Sequence, residues 1–157
     1  MRVTRDSFTD IYEKYKNTVY SVIFNYVRNT DNASDVTQDV FVKLIDSDVT
    51  FDSEEHLKAW LIRVAINASK NLLKYNSRFS DEEIPEIPYF EEHNEDGHLL
   101  RLVMSLPEKY RVPLHLFYYE DLTIRQIGNL LRVPEATIKI RLKRGRDKLQ
   151  KLINNEG

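Results

Sequence analysis

The chain has 157 residues, enough for one ordinary domain or two small ones, and its 23 Lys and Arg nearly balance 25 Asp and Glu for a formal net charge of −2. It has no cysteine, which excludes disulfides, thiolate zinc sites and cysteine nucleophiles, and only four scattered glycines (Gly97, Gly128, Gly145, Gly157), too few for a phosphate-cradling loop. The N-terminus carries no apolar stretch after its charges, and no apolar run approaches the roughly 20 residues of a membrane helix, so the expectation is a cytoplasmic protein without membrane insertion.

Phe8, Ile11, Tyr12, Tyr15, Val19, Tyr20, Ile23, Tyr26 and Val27 recur at spacings of three and four, the pattern of a helix with one buried stripe. Asn29-Thr30-Asp31-Asn32 reads as a break of turn-forming residues. A second helix is predicted from near Ala33, with Val36, Val40, Phe41, Leu44 and Ile45 on its apolar side. A short polar loop with Asp46, Ser47, Asp48 and Asp52 follows. Leu57, Trp60, Leu61, Val64, Ala65, Ala68, Leu72 and Leu73 then predict a third helix, with Trp60 read as core.

Between residues 77 and 97 the periodicity is lost. Pro85 and Pro88 break helix, and every ionised group from Ser80 to Gly97 is acidic: Asp81, Glu82, Glu83, Glu86, Glu91, Glu92, Glu95 and Asp96. Dense like charge and proline predict an extended or flexible tether. A helix from about His98 to Ser105, a break at Leu106-Pro107, a helix from about Glu108 to Tyr119 and two more short helices complete the chain.

The last two helices carry the strongest functional signal. Thr123 and Gln126 form a capping-box pattern, and Ile127, Leu130 and Leu131 supply the buried face of the first helix. Arg132-Val133 makes the turn, and Pro134 suits the first position of the next helix, where Ile138 and Leu142 point inward. Glu135, Thr137, Lys139, Ile140, Arg141, Lys143 and Arg144 remain for the outer face, within a stretch from Arg132 to Lys151 holding eight basic residues against Glu135 and Asp147. Such a helix fits the major groove, its N-terminal side chains reaching base edges and its cations meeting phosphates. The pair is therefore expected to be a DNA-binding helix-turn-helix.

With these residues in place, the chain resembles the sigma factors of bacterial RNA polymerase, in their small extracytoplasmic-function (ECF) group. Leu106-Pro-Glu-Lys-Tyr-Arg-Val-Pro-Leu, Leu116-Phe-Tyr-Tyr-Glu-Asp-Leu-Thr and the helix pair resemble the domain that binds the promoter −35 element. Asn32-Ala-Ser-Asp-Val-Thr-Gln-Asp-Val-Phe-Val-Lys43 resembles the segment that docks on the clamp helices of the polymerase β′ subunit. Ala59-Trp-Leu-Ile-Arg-Val-Ala-Ile-Asn67 resembles the stretch leading into −10 recognition and melting.

The resemblance implies an all-α fold of two small helical domains: a sigma domain 2-like bundle over 1–77 and a sigma domain 4-like helix-turn-helix over 98–157, joined by an acidic linker over 78–97. It implies polymerase contacts at Asp35, Gln38 and Asp39. For the −10 element it implies the loop 47–55 and Lys58, Arg63, Asn67, Lys70, Asn71 and Lys74; the −35 set is the outer face named above. The implied partners are core RNA polymerase (β′ clamp helices and β flap), promoter DNA and an anti-sigma protein, with no cofactor and no metal. The family's linker threads toward the polymerase active site, and this acidic one is expected to mimic nucleic-acid charge there or to serve as a solvated spacer.

The chain departs from the family pattern in places. Asn71 stands where Asp is usual, Lys74 where Arg is usual, and Ile66 where a basic residue is common. Arg132 replaces a turn glycine, Ile140 a frequent Ser, and Gly145 an Ala, which is expected to loosen the recognition helix. A different reading, a stand-alone helix-turn-helix regulator, would bind duplex DNA as a dimer without needing Asp35, Gln38 and Asp39. Enzyme activity has no support: His56, His93, His98 and His115 show no metal-ligand spacing, and no nucleophile–base arrangement is legible.

Overall fold

The computed structural model describes residues 1–76 and 95–156. These form seven helices: α1 (Arg5–Val27), α2 (Thr30–Asp46), α3 (Glu54–Asn76), α4 (Glu95–Met104), α5 (Glu108–Tyr118), α6 (Ile124–Leu131) and α7 (Glu135–Glu156). The chain divides into two compact units, 1–85 and 86–157. Most of the acidic tether, including Asp81 to Glu92, lies outside the described residues, so its expected conformation and role go untouched.

In the first unit α1, α2 and α3 pack on one another. Helix α1 starts where it does because Thr4 and Ser7 satisfy each other's end: the Ser7 N–H donates to Thr4 Oγ1 at 3.3 Å and the Thr4 N–H to Ser7 Oγ at 2.9 Å. It stops at Arg28, which takes the left-handed conformation (φ 54°) and sends its N–H back to the Phe24 carbonyl. The expected break at 29–32 is a cap and a first turn: Asn29 Oδ1 accepts the Asn32 N–H at 2.9 Å, and α2 begins at Thr30, not near Ala33. Residues that favour turns favour helix starts for the same reason, since their short polar side chains take orphan backbone donors.

Val19 and Ile23 from α1, Val40 and Leu44 from α2, and Leu61, Ile62 and Ala65 from α3 are fully buried at the centre. Each valine, leucine or isoleucine so buried contributes about 1.5–3 kcal/mol, and the Ala65 methyl less. Three expectations are corrected here. Ile45, expected on the core stripe of α2, is exposed. Trp60 is only half-buried, because the core stripe of α3 runs through Leu57, Leu61, Ile62, Ala65, Ile66 and Ser69 and leaves Trp60 at its edge. The loop after α2 is not wholly polar: Phe51 is completely buried.

In the second unit α7 packs against α4, α5 and α6. Helix α4 begins at Glu95, so the end of the acidic stretch is helical, not tether. The turn into α5 is held by a charge: Arg111 is buried, and its Nη1 donates to the Leu106 carbonyl at 2.8 Å. Helix α7 has 22 residues and is no short helix. Gly145 is no weak point either. It is buried at the α5–α7 crossing, where a Cβ would lie 2.9 Å from Leu114 Cδ1 and 3.3 Å from Tyr110 Cβ, so the glycine permits a close helix approach. Among the described residues no helix is long and apolar enough to cross a membrane.

Candidate nucleic-acid interface

The helix-turn-helix forms with the local chemistry its sequence demands. The Gln126 N–H donates to Thr123 Oγ1 at 3.1 Å and the Thr123 N–H to Gln126 Oε1 at 2.9 Å, closing the capping box of α6. Arg132 ends α6 in the left-handed region (φ 58°, ψ 46°), the conformation that a glycine would take without strain. Pro134 sits one position before α7, its carbonyl accepting the Ile138 N–H at 3.1 Å. Gly128 packs under the turn: a Cβ there would lie 2.8 Å from the Val133 carbonyl oxygen. Ile127 and Ile138 are wholly buried between the two helices, and Leu130 and Leu131 are half-buried.

With Ile138, Leu142 and Gly145 turned inward, α7 presents the opposite side to solvent. At about 100° per residue, Ile140, Lys143 and Arg144 lie on its outer face, Lys139 and Glu135 on one flank, and Arg141 on the other. Glu135, Lys139, Ile140, Lys143 and Arg144 are exposed, whereas Thr137 and Arg141 are half-buried. Ile140 is half exposed, an apolar group in the middle of a basic face. That suits contact with a thymine methyl rather than with a phosphate.

On α3, Arg63, Asn67, Lys70, Asn71 and Lys74 are all exposed and fall within about 100° of the helix circumference. Lys58 does not join them: it is half-buried and lies about 140° round the helix from Arg63. The half-buried Trp60 falls within the same arc, about 60° round from Arg63, a feature that its apolar spacing concealed. Beside it lies the loop expected over 47–55; it spans 47–53, since Glu54 and Glu55 already belong to α3, and it is built around Phe51, whose ring meets Trp60 edge-on at 5.7 Å and His56 edge-on at 5.2 Å. His56 Nδ1 accepts the Asp52 N–H at 3.1 Å, and Ser53 Oγ accepts the His56 N–H at 3.0 Å. Sequence reasoning missed Phe51 and His56; the signal was an aromatic isolated among acidic and hydroxyl residues just before a helix. Glu54, at the start of α3, receives Lys14 Nζ at 2.6 Å and the Tyr15 hydroxyl at 2.5 Å. The Lys14 bond chiefly holds its carboxyl below the usual range, and burial together with Glu54 raises the Tyr15 phenol.

On α2, Asp35, Gln38 and Asp39 are exposed on one side, opposite Ala33, Val36, Thr37, Val40, Phe41 and Leu44. Val42 and Ile45 share that outer side and are 53% and 57% exposed, so the acidic face is also apolar. Gln38 borders a cleft of about 200 Å³ with Tyr12, Lys16, Asn17, Tyr20, Ser34 and Thr37. In the second unit a more apolar groove of about 260 Å³ is lined by Leu99, Val103, Leu114, Tyr118, Tyr119, Arg146 and Leu149. Arg146 Nη1 donates to the Tyr118 hydroxyl at 3.1 Å at its rim.

Comparison with known proteins matches both units. Residues 11–79 match the family Sigma-70 region 2, and residues 97–149 match Sigma-70, region 4. The ECF RNA polymerase sigma factor SigW of Bacillus subtilis is 27% identical, the alignment covering 96% of this chain and 91% of that protein. The ECF RNA polymerase sigma-E factor of Escherichia coli is 28% identical over 94% of this chain and 88% of its own length. Among solved structures, the sigma factor RpoE of Bartonella quintana, crystallised with the anti-sigma factor NepR, shares the fold with a TM-score of 0.79 at 19% identity, over 96% of this chain and 98% of that one. CnrH, solved with the cytosolic domain of CnrY, gives 0.67 at 18% identity over 98% and 92%. The two matched regions, in the same order and over the same length as in these relatives, make this chain a member of the sigma-70 family, in its extracytoplasmic-function group.

Proposed function

We propose that this chain acts as an alternative sigma factor: it binds core RNA polymerase and directs it to a set of promoters, by binding rather than by catalysis. The observation that carries this is the pairing in one chain of the region 2 and region 4 matches, which together span most of its length. The compartment in which such a factor works is the cytoplasm.

The division of labour is the following. Residues 1–77 dock on polymerase and hold the melted −10 strand, 98–157 grip duplex −35 DNA, and the acidic stretch 78–97 joins them. Asp35, Gln38 and Asp39 face the β′ clamp helices, supported by their exposure on one side of α2 with Val42 and Ile45. Arg63, Asn67, Lys70, Asn71 and Lys74 meet the −10 strand, where cations take phosphates and an exposed aromatic edge such as Trp60 takes a base. Lys58, half-buried and off that face, is the weakest member of the expected −10 residues. Glu135, Thr137, Lys139, Ile140, Arg141, Lys143 and Arg144 read the −35 duplex, with the outward Ile140, Lys143 and Arg144 closest to the groove. The apolar groove beside Tyr118 and Tyr119 suits the β flap. An anti-sigma protein, the partner crystallised with the similar RpoE, is the expected inhibitor of this chain.

The deciding experiment is a pull-down of the purified chain with bacterial core polymerase, comparing wild type with the double variant Gln38→Ala, Asp39→Ala. Retention of wild type and loss of the double variant support both the function and the docking face. Retention of both proteins moves the docking face elsewhere. Failure of wild type to bind, with tight duplex binding by the chain alone, would establish the stand-alone regulator instead.

A further inference from the structure

Residues 1–3 precede α1 and belong to no helix, yet they are paired. The Phe51 N–H donates to the Met1 carbonyl at 2.7 Å, and the Met1 nitrogen donates to the Phe51 carbonyl at 2.7 Å. Arg2 and Thr50 form an antiparallel bridge, and Arg2 Nη2 stands 3.4 Å from Asp48 Oδ1. The partner of this short segment is the loop between α2 and α3, the same loop that carries Phe51 and leads into the Trp60 face.

The loop is thus fixed from two sides. Beneath it, the buried Phe51 ring is seated on Trp60 and His56. Along its edge, residues 1–3 take up backbone groups that a free loop would leave to water. Between these two anchorages Asp48, Thr50 and Asp52 remain exposed. A loop that must take one shape to receive a strand pays for its ordering at the moment of binding unless it is ordered beforehand. Helix α1 does not need this segment, because its start is closed by Thr4 and Ser7.

We infer that residues 1–3 are a positioning element for the loop 47–53: their backbone pairing pre-orders the loop that receives the separated promoter strand, without touching DNA themselves. This rests on the proposed sigma-factor function and on the −10 role that the family resemblance implies for that loop. The Arg2–Asp48 ion pair is a minor part of the device, since both side chains are largely exposed and such pairs contribute little. The backbone bonds carry it, so the identity of the side chains at 2 and 3 is of small consequence.

The test uses holoenzyme assembled with the full chain and a DNA pool carrying a randomised upstream duplex and a randomised single-stranded non-template stretch. Wild type should enrich one motif in each. A chain restarted with methionine directly before Thr4, and the full-length variant Val3→Pro, which takes a backbone N–H from the edge that pairs antiparallel with the loop, should each lower enrichment of the single-stranded motif about tenfold, the ordering cost of roughly one backbone residue. Both should keep the duplex motif, the helical circular dichroism and polymerase retention. The double variant Arg2→Ala, Val3→Ala should stay within about twofold of wild type, because the pairing is made by backbone groups. Trp60 is the sole tryptophan of the sequence, so its emission should shift in the shortened chain and in Val3→Pro as Phe51 leaves its seat. Unchanged enrichment in the shortened chain overturns the inference. If Asp52→Ala alters the single-stranded motif while the shortened chain does not, the −10 reading of the loop stands and the positioning role falls. If wild type enriches no single-stranded motif, both fail.

Discussion

Gly128→Ala sets two physical effects against each other at the centre of the helix-turn-helix. By helix propensity alone the change stabilises, since alanine is favoured over glycine inside a helix by about 1 kcal/mol. The structure argues the other way. The new Cβ would lie 2.8 Å from the Val133 carbonyl oxygen, closer than carbon and oxygen can sit without moving. That oxygen belongs to the backbone of a turn held between Arg132, already in the left-handed region, and Pro134, whose φ is locked, so it cannot swing aside cheaply. Gly128 also closes the turn through its own carbonyl, which accepts the Arg132 N–H and, at 3.0 Å, the Val133 N–H. Overpacking of this kind costs about 1–3 kcal/mol, which leaves a net destabilisation on the order of 1 kcal/mol. Hydrogen exchange followed by mass spectrometry on the full chain reads it locally. Amides of the buried Ile127 and Ile138 should lose about fivefold in protection, while those of Val19 and Ile23 in the first unit stay unchanged. Greater protection at Ile127 and Ile138 would refute the reasoning and show that propensity outweighs the steric clash.

Arg132→Gly should do the reverse: an exposed side chain leaves a left-handed position, and the same amides should gain up to about fivefold in protection, corresponding to about 1 kcal/mol; no gain would mean that Arg132 is held there by interactions worth as much as the strain. Glu54→Gln tests the cluster with Lys14 and Tyr15. Because the folded-state carboxyl of Glu54 is lowered, its contribution is present above the ordinary carboxylate range and is lost as pH falls through the folded value. The urea midpoint of Trp60 fluorescence should therefore favour wild type slightly near neutral pH and converge with the variant under acid conditions; a gap that persists in acid would count against the assignment. Lys143→Ala with Arg144→Ala should weaken binding to the −35 duplex and reduce its log–log salt slope by about 0.9 for each phosphate that is no longer neutralised, measured by fluorescence anisotropy over a salt series. A lower affinity with an unchanged slope would mean that these side chains read bases or only hold the helix.

The number of helices and most of their register are legible in the sequence because a 3.6-residue period leaves its mark in the order of apolar residues. Val19, Ile23, Val40, Leu44, Leu61, Ile138 and Leu142 fall in the core by that period alone. The capping box of Thr123 and Gln126 is equally legible, a device that acts over three residues and needs nothing else from the fold. The −35 candidate face follows by subtraction, since naming the buried side of α7 leaves the rest outside.

What the order of residues could not decide depends on what lies across the gap from each side chain. Whether Ile45 and Trp60 are inside turns on how wide an arc of α2 and α3 the neighbouring helices cover, and apolar spacing alone does not give that width. Gly145 looks like a flaw in a helix until Leu114 and Tyr110 are seen against it. Phe51 in a polar loop carries no period at all, and its burial requires Trp60 and His56 from the next helix. The pairing of residues 1–3 with that loop spans about fifty positions of sequence; a backbone hydrogen bond between such distant groups leaves no side-chain trace, so only the tertiary structure discloses it.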